Sequence, residues 1–156
     1  MIRILVAALV MLMAGPAMAC EVPNSLITLR AELLALTNIE RDAVGITPLT
    51  HDVRLEAAAQ AQACRMARRD NLSHRGSWFA GLGRRLRRED YQYAMAGENL
   101  AEGHRGATEV TLGWMDSPEH RANTLDARAR NAGFGVAVAE NGRLFWSMVA
   151  AAPRLE

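Results

Sequence analysis

Three side chains with metal-binding and acid-base chemistry come from distant parts of the chain: His74, Glu98 and His120. Glu98 is flanked by Gly97 and Asn99, directly before a helix-like Leu-Ala-Glu. Neutral imidazole is the commonest protein ligand for zinc, and two histidines with one carboxylate leave a coordination position for water. If these side chains meet, we expect a site able to hold a divalent metal, with binding or metal-assisted hydrolysis as its activity.

Each of these residues also has a simpler structural interpretation. Glu98 suits a buried acceptor for backbone amides, and Asn99 suits a residue that ties a turn through its own side chain. His74 has Trp78 close by in sequence as a stacking partner, and His120 fits the start of a helix. The residues do not form a local His-Glu-x-x-His signature, so both interpretations stay open.

Other polar residues are better explained by structure than by chemistry. Ser117 precedes a proline and fits a helix cap, and no Gly-x-Ser-x-Gly elbow surrounds it. His51 is expected at the surface or as a capping residue, and His104 in a solvated loop. The arginine-rich run at 83–90, "GRRLRRED", is expected to be the solvated face of a short helix.

The first nineteen residues are typical of a secretory signal peptide, with a positive start, an apolar run and a small-x-small cleavage site at 17–19. The run is shorter than the ~20 residues of a membrane span. We therefore expect a signal peptide at 1–19 and one secreted or periplasmic domain at 20–156, without a membrane span. Without Arg3, 17 arginines balance 17 acidic residues, so bulk charge does not support a nucleic-acid partner.

The chain has two cysteines, Cys20 and Cys64. In an exported protein the pair is available for oxidation, and a disulfide between them is expected. Lipid attachment at Cys20 is the alternative, because a cysteine directly after the cleavage point is the residue that bacterial lipoprotein processing modifies.

The periodicity of the remaining chain predicts helices followed by strands. Apolar residues recur every three or four positions from Ser25 to about Val44, and a second helix is expected after the candidate N-cap Asp52. A further helix is expected over 106–114, and Ser117 begins another. Asn-Gly at 141–142, between two apolar runs, predicts a C-terminal β-hairpin. We expect an α+β fold with helices packed on an antiparallel sheet.

Several separated motifs, in this order, resemble the CAP superfamily, which includes SCP-like, cysteine-rich secretory, antigen 5 and pathogenesis-related 1 proteins. The resemblance runs from about Leu36 to Ala151 and is strongest to short secreted bacterial members. The residues that carry it are Asn38, Arg41, Gly45, Pro48, Leu49, Glu98, Asn99, Trp114, Ser117, Pro118, His120, Arg121 and Asn123.

The resemblance implies an α-β-α sandwich with a shallow cavity lined by two histidines and acidic residues, which in relatives can hold a divalent metal. Carried over by position, His74, Glu98 and His120 would line this cavity. Many eukaryotic relatives place a fourth residue, a glutamate, where Ser117 stands here. Glu119 is the nearby candidate replacement.

Two functions follow from the sequence. The first is a secreted binding or interaction module whose cavity holds a divalent metal such as zinc and an unknown ligand or cell-envelope component. The alternative is a metal-dependent hydrolase acting on a peptide, phosphodiester or cell-envelope substrate. A lipid or sterol carrier, a role of some relatives, has no dedicated motif here.

Overall fold

The computed structural model describes residues 20–74 and 81–154, in which five helices and four strands form three layers. The expected signal peptide at 1–19 and Trp78 lie outside the described residues. The helices and strands, in chain order, are α1 (Leu26–Asp42), β1 (Thr50–His51), α2 (Val53–Arg69), α3 (Leu82–Arg88), β2 (Tyr93–Glu102), α4 (Ala107–Asp116), α5 (Pro118–Thr124), β3 (Asn131–Val138) and β4 (Leu144–Pro153).

The strands form one sheet in the order β1-β3-β4-β2. The three long strands are antiparallel, and β3 and β4 form the predicted hairpin, with Gly142 at a positive φ of 81° in its turn. The expected α+β fold, an α-β-α sandwich, is confirmed. The short strand β1 pairs with β3 in parallel, so the sheet is mixed rather than purely antiparallel.

Helix α2 covers one face of the sheet, and α1 and α4 cover the other. A cluster containing Leu33, Val110, Trp114 and Trp146 fills the space beneath α1 and α4. On the opposite face α2 lies very close to β3, because Gly133 and Gly135 have no side chains there. A Cβ at either glycine would overlap the backbone of α2.

The expected boundaries of the first two helices agree with the structure. Helix α1 covers the predicted segment, and Gly45 follows it with a positive φ of 70°. Asp52 caps α2, because its side chain accepts hydrogen bonds from the backbone N–H groups of Arg54 and Leu55. This confirms Asp52 as the N-cap.

The sequence around Glu98 is a strand, not the start of a helix. Leu-Ala-Glu at 100–102 consists of good helix formers, but it forms the end of β2 and pairs with Phe145, Trp146 and Ser147 of β4. Pairing with β4 therefore overrides the local helix preference. Glu98 and Asn99 lie in the middle of this strand.

Cys20 and Cys64 form a disulfide with a Cα–Cα distance of 5.4 Å. The bond attaches the segment before α1 to the middle of α2. Within the described residues no helix is long and apolar enough to cross a membrane.

Candidate functional site

Glu98 is the centre of the candidate site, and both of its carboxylate oxygens have a side-chain donor. Oε2 lies 3.0 Å from Nδ1 of His74, and Oε1 accepts a hydrogen bond from the guanidinium of Arg85. The side chains of Glu98 and Arg85 are 4% and 5% exposed, whereas that of His74 is 59% exposed. Glu98 is thus a buried acceptor, as its structural interpretation requires, but its donors within the described part of the chain are side chains rather than backbone amides.

Arg85 was not predicted as part of the site. The run containing it was expected to be a solvated helix face, and this expectation is wrong for Arg85, which is buried. Arg85 lies three residues after Leu82 and next to Leu86, on the face of α3 that packs inward. That spacing is the sequence signal that identifies it, because residues three or four apart share one face of a helix.

Buried Gln62 of α2 holds the backbone next to His74. Its side-chain amide donates to the carbonyl oxygen of Ser73, and its Oε1 accepts a hydrogen bond from Arg65 at 2.5 Å. The pKa of Arg65 is lowered, chiefly by burial and then by the positive charge of Arg85. The charges of Arg85 and Glu98 therefore both act on Arg65.

Asn99 positions the helix that carries His120. Its side-chain amide donates to the carbonyl oxygen of His120 and to Oγ1 of Thr124, both at 2.9 Å. Asn123 completes the connection by donating to the carbonyl oxygen of Glu98 and to Oδ1 of Asn99. Asn99 therefore fixes α5 against β2, rather than tying a turn of its own.

Two further contacts place α5. Gly97 lies against Asn123, whose side-chain oxygen would be 2.8 Å from a Cβ at that glycine. Arg41, fully buried in α1, donates to the carbonyl oxygens of Thr124 and Asp126 at 2.8 and 3.1 Å. Arg41 of α1 and Asn99 of β2 therefore both bind α5. Together they fix the position of the His120 backbone.

The charge of His74 acts on the ring of His120. The pKa of His74 is raised, chiefly by its hydrogen bond to Glu98, and the pKa of His120 is lowered, chiefly by burial and secondly by the charge of His74. The negative charge of Glu119 favours the protonated form of both rings, but the pKa of His120 remains lowered because burial and the charge of His74 outweigh it. The charges of His74 and Glu119 therefore both act on the ring of His120.

The remaining candidates take structural roles. Ser117 stands at the N-cap position of α5, as expected, but its side chain makes no capping hydrogen bond. His51 is exposed, and its Nε2 lies 2.8 Å from Oε2 of Glu56. His104 is not simply solvated, because its half-buried ring packs against Gly113 of α4.

The donor set differs from that of a preformed metal site. Among the residues that the structure describes, no group of three His, Cys, Asp or Glu side chains is arranged to hold a metal ion. Glu98 is engaged by Arg85 and by Nδ1 of His74, which leaves Nε2 of His74 as the second nitrogen of that ring.

Comparison with known proteins identifies the relatives of this fold. The family model of the cysteine-rich secretory protein family, CAP, matches residues 34–150. The uncharacterized protein YkwD of Bacillus subtilis is 30% identical over 113 residues, which are 72% of this chain and 44% of YkwD.

Solved structures share the same architecture. An extracellular SCP-domain protein from Bacillus anthracis superposes with a TM-score of 0.73 at 25% identity, covering 81% of this chain and 41% of that protein. NaASP2, whose crystal structure contains Zn²⁺, shares the fold with a TM-score of 0.57 at 12% identity, covering 85% of this chain and 83% of NaASP2. The chain spans less than half the length of the two Bacillus proteins. With three quarters of its residues matched by the family model, this chain belongs to the cysteine-rich secretory protein (CAP) family.

Proposed function

We propose that this chain is an exported CAP-domain binding module whose working site is formed by His74, His120 and Glu98, with Glu119 at its rim. The observation that carries the proposal is the network in which buried Glu98 holds His74 while Asn99, the next residue of the same strand, holds the helix of His120. Glu98 contacts the ring of His74 and Asn99 binds the backbone of His120, and these two contacts support the proposal.

Export is supported by three independent features. The first nineteen residues have the composition of a signal peptide. The Cys20–Cys64 disulfide is a bond that persists in oxidising compartments outside the cytoplasm. The related Bacillus anthracis protein is described as extracellular. We infer that the site faces ligands outside the cytoplasm.

The two imidazoles are the side chains that would hold a divalent metal at this site. Glu98 would have to give up Arg85 or His74 to become a ligand, so its proposed role is to accept a hydrogen bond from Nδ1–H of His74 and orient the ring. Carboxylates beside metal-binding histidines commonly act in this way. A zinc ion bound there would supply a Lewis acid and lower the pKa of a bound water.

A metal-dependent hydrolase is the second candidate. It needs a carboxylate free to act as a base, and both oxygens of Glu98 have donors. Glu119 is an exposed carboxylate directly before His120 in sequence. Because both oxygens of Glu98 are engaged, we favour the binding module over the hydrolase. Enzymatic turnover that disappears with a chelator and returns with one particular ion would favour the hydrolase instead.

Zinc titration of the untagged protein by calorimetry tests the proposal. We expect one ion per chain, and we expect His74→Ala and His120→Ala each to weaken the affinity by about tenfold or more, since each removes one of two protein ligands. His51→Ala, which removes an exposed histidine elsewhere, is the matched control and leaves the affinity unchanged. An absence of saturable binding, or an equal loss with His51→Ala, would contradict the proposal.

A further inference from the structure

A second candidate binding site lies in a cleft of about 480 Å³ where the end of α3, the start of β2 and the end of β4 meet. Ligand pockets typically have volumes of this size. None of the four residues proposed for the His and Glu site lines it. Its lining residues are Arg87, Asp90, Tyr91, Gln92, Tyr93, Ala94 and Arg154.

Two exposed guanidinium groups lie in this cleft. Arg87 and Arg154 are exposed, and neither forms an ion pair with any residue within 20–74 or 81–154. A third arginine near Asp90, Arg54, is already paired with Asp52 at 2.7 Å. The cleft therefore offers a ligand two positive charges, one from the end of α3 and one from the residue after β4.

The backbone around the two arginines is held in place. The N–H of Arg154 donates to the carbonyl oxygen of Gln92 at 3.0 Å, and the N–H of Asp90 donates to that of Arg87 at 3.2 Å. The register of β2 against β4 shifts between Tyr93 and Met95, so the residue between them has no partner on β4. Such bulges expose backbone groups and are frequent beside binding sites.

We propose that this cleft binds a small ligand carrying a carboxylate or phosphate, with Arg87 and Arg154 on the anion and Asp90 accepting a hydrogen bond from a neighbouring hydroxyl or amine. Arginine is the side chain best suited to planar recognition of such oxyanions. Because Arg87 and Arg154 outnumber Asp90, the cleft has a net positive charge. Asp90 would select ligands that have a hydrogen-bond donor next to the anionic group.

Titration of the whole protein with glycerol 3-phosphate, glycerate and uncharged glycerol, followed by backbone NMR shifts, tests this proposal. We expect saturable shifts at the cleft residues with at least one of the two anions and none with glycerol. The anion that binds identifies the preferred group. No saturable shift with either anion would overturn the proposal.

Variants separate a built site from general positive charge. Arg87→Gln and Arg154→Gln are each expected to weaken binding by about tenfold, the loss of one charge-assisted hydrogen bond. Arg88→Gln is the matched control, because Arg88 is an exposed arginine of the same helix that does not line the cleft, and it is expected to bind like the unchanged protein. An equal loss of affinity with Arg88→Gln would show that the anion is attracted by general positive charge and is not bound in the cleft. His74→Ala is expected to leave this binding intact, which keeps the test independent of the other site.

Discussion

Arg85 donates a hydrogen bond to Oε1 of Glu98, and this buried pair joins α3 to the middle of β2. The pair explains how a carboxylate persists inside the fold, since a buried charge requires a partner and hydrogen bonds. Because Arg85 binds Oε1, Oε2 is the oxygen that contacts His74. The position of Glu98 in the candidate site is therefore stabilised by its ion pair with Arg85 as well as by its contact with His74.

Arg85→Met is expected to destabilise the protein by about 3 kcal/mol or more, because removing one partner of a buried pair leaves the other charge uncompensated. Urea unfolding measures this change. Arg84→Met, in the same helix and exposed, is expected to change stability by less than about 0.5 kcal/mol. Equal effects of the two substitutions would show that Arg85 has no special role.

Asn99→Ala is expected to cost about 2–3 kcal/mol, because the carbonyl oxygen of His120 and the amide of Asn123 each lose a hydrogen-bond partner in a largely buried place. We also expect the NMR signals of the His120 ring to shift as α5 loosens. Asn71→Ala, at an exposed asparagine, is the control for urea unfolding. Unchanged His120 signals in Asn99→Ala would contradict the positioning role.

Reduction of the disulfide, or Cys64→Ser, is expected to lower stability by about 4 kcal/mol, the value for a loop of this length. Intact mass of the exported protein gives a second readout. A loss of two hydrogens is expected, whereas a large mass increment at Cys20 would indicate lipid attachment and contradict the disulfide.

The two histidines are expected to titrate in opposite directions from the ordinary histidine pKa. The midpoint of His74 lies above it and that of His120 below it. His74→Asn removes a positive charge, so the midpoint of His120 is expected to rise. NMR titration of the rings measures all three values, and a common midpoint for His74 and His120 would contradict the arrangement.

The same shifts predict a pH dependence of stability. The raised pKa of His74 means that its bond to Glu98 contributes fully below about pH 6.5 and is lost as pH rises through the folded pKa. The lowered pKa of His120 acts in the opposite direction: its contribution is present at neutral pH and declines as pH falls below about 6.5. The exposed side chain of His74 keeps its contribution small.

Local patterns in the sequence predicted the helices, the hairpin and the cap at Asp52, because periodicity and turn chemistry depend on near neighbours. The strand character of 100–102 was missed, since it depends on pairing with residues more than forty positions away. Arg85 was missed because a run of arginines indicates solvent exposure, although Leu82 and Leu86 place it on the inward face. The partnership of Glu98 with Arg85 is a tertiary contact that neither residue's own neighbourhood reveals.

The central claim is that His74 and His120 share one site beside Glu98. The most direct measurement is a zinc titration of the protein followed by NMR of all four histidine rings. Signals of His74 and His120 are expected to move together with one apparent affinity, while those of His51 and His104 stay in place. Movement of only one of the two rings, or separate affinities for each, would contradict the claim.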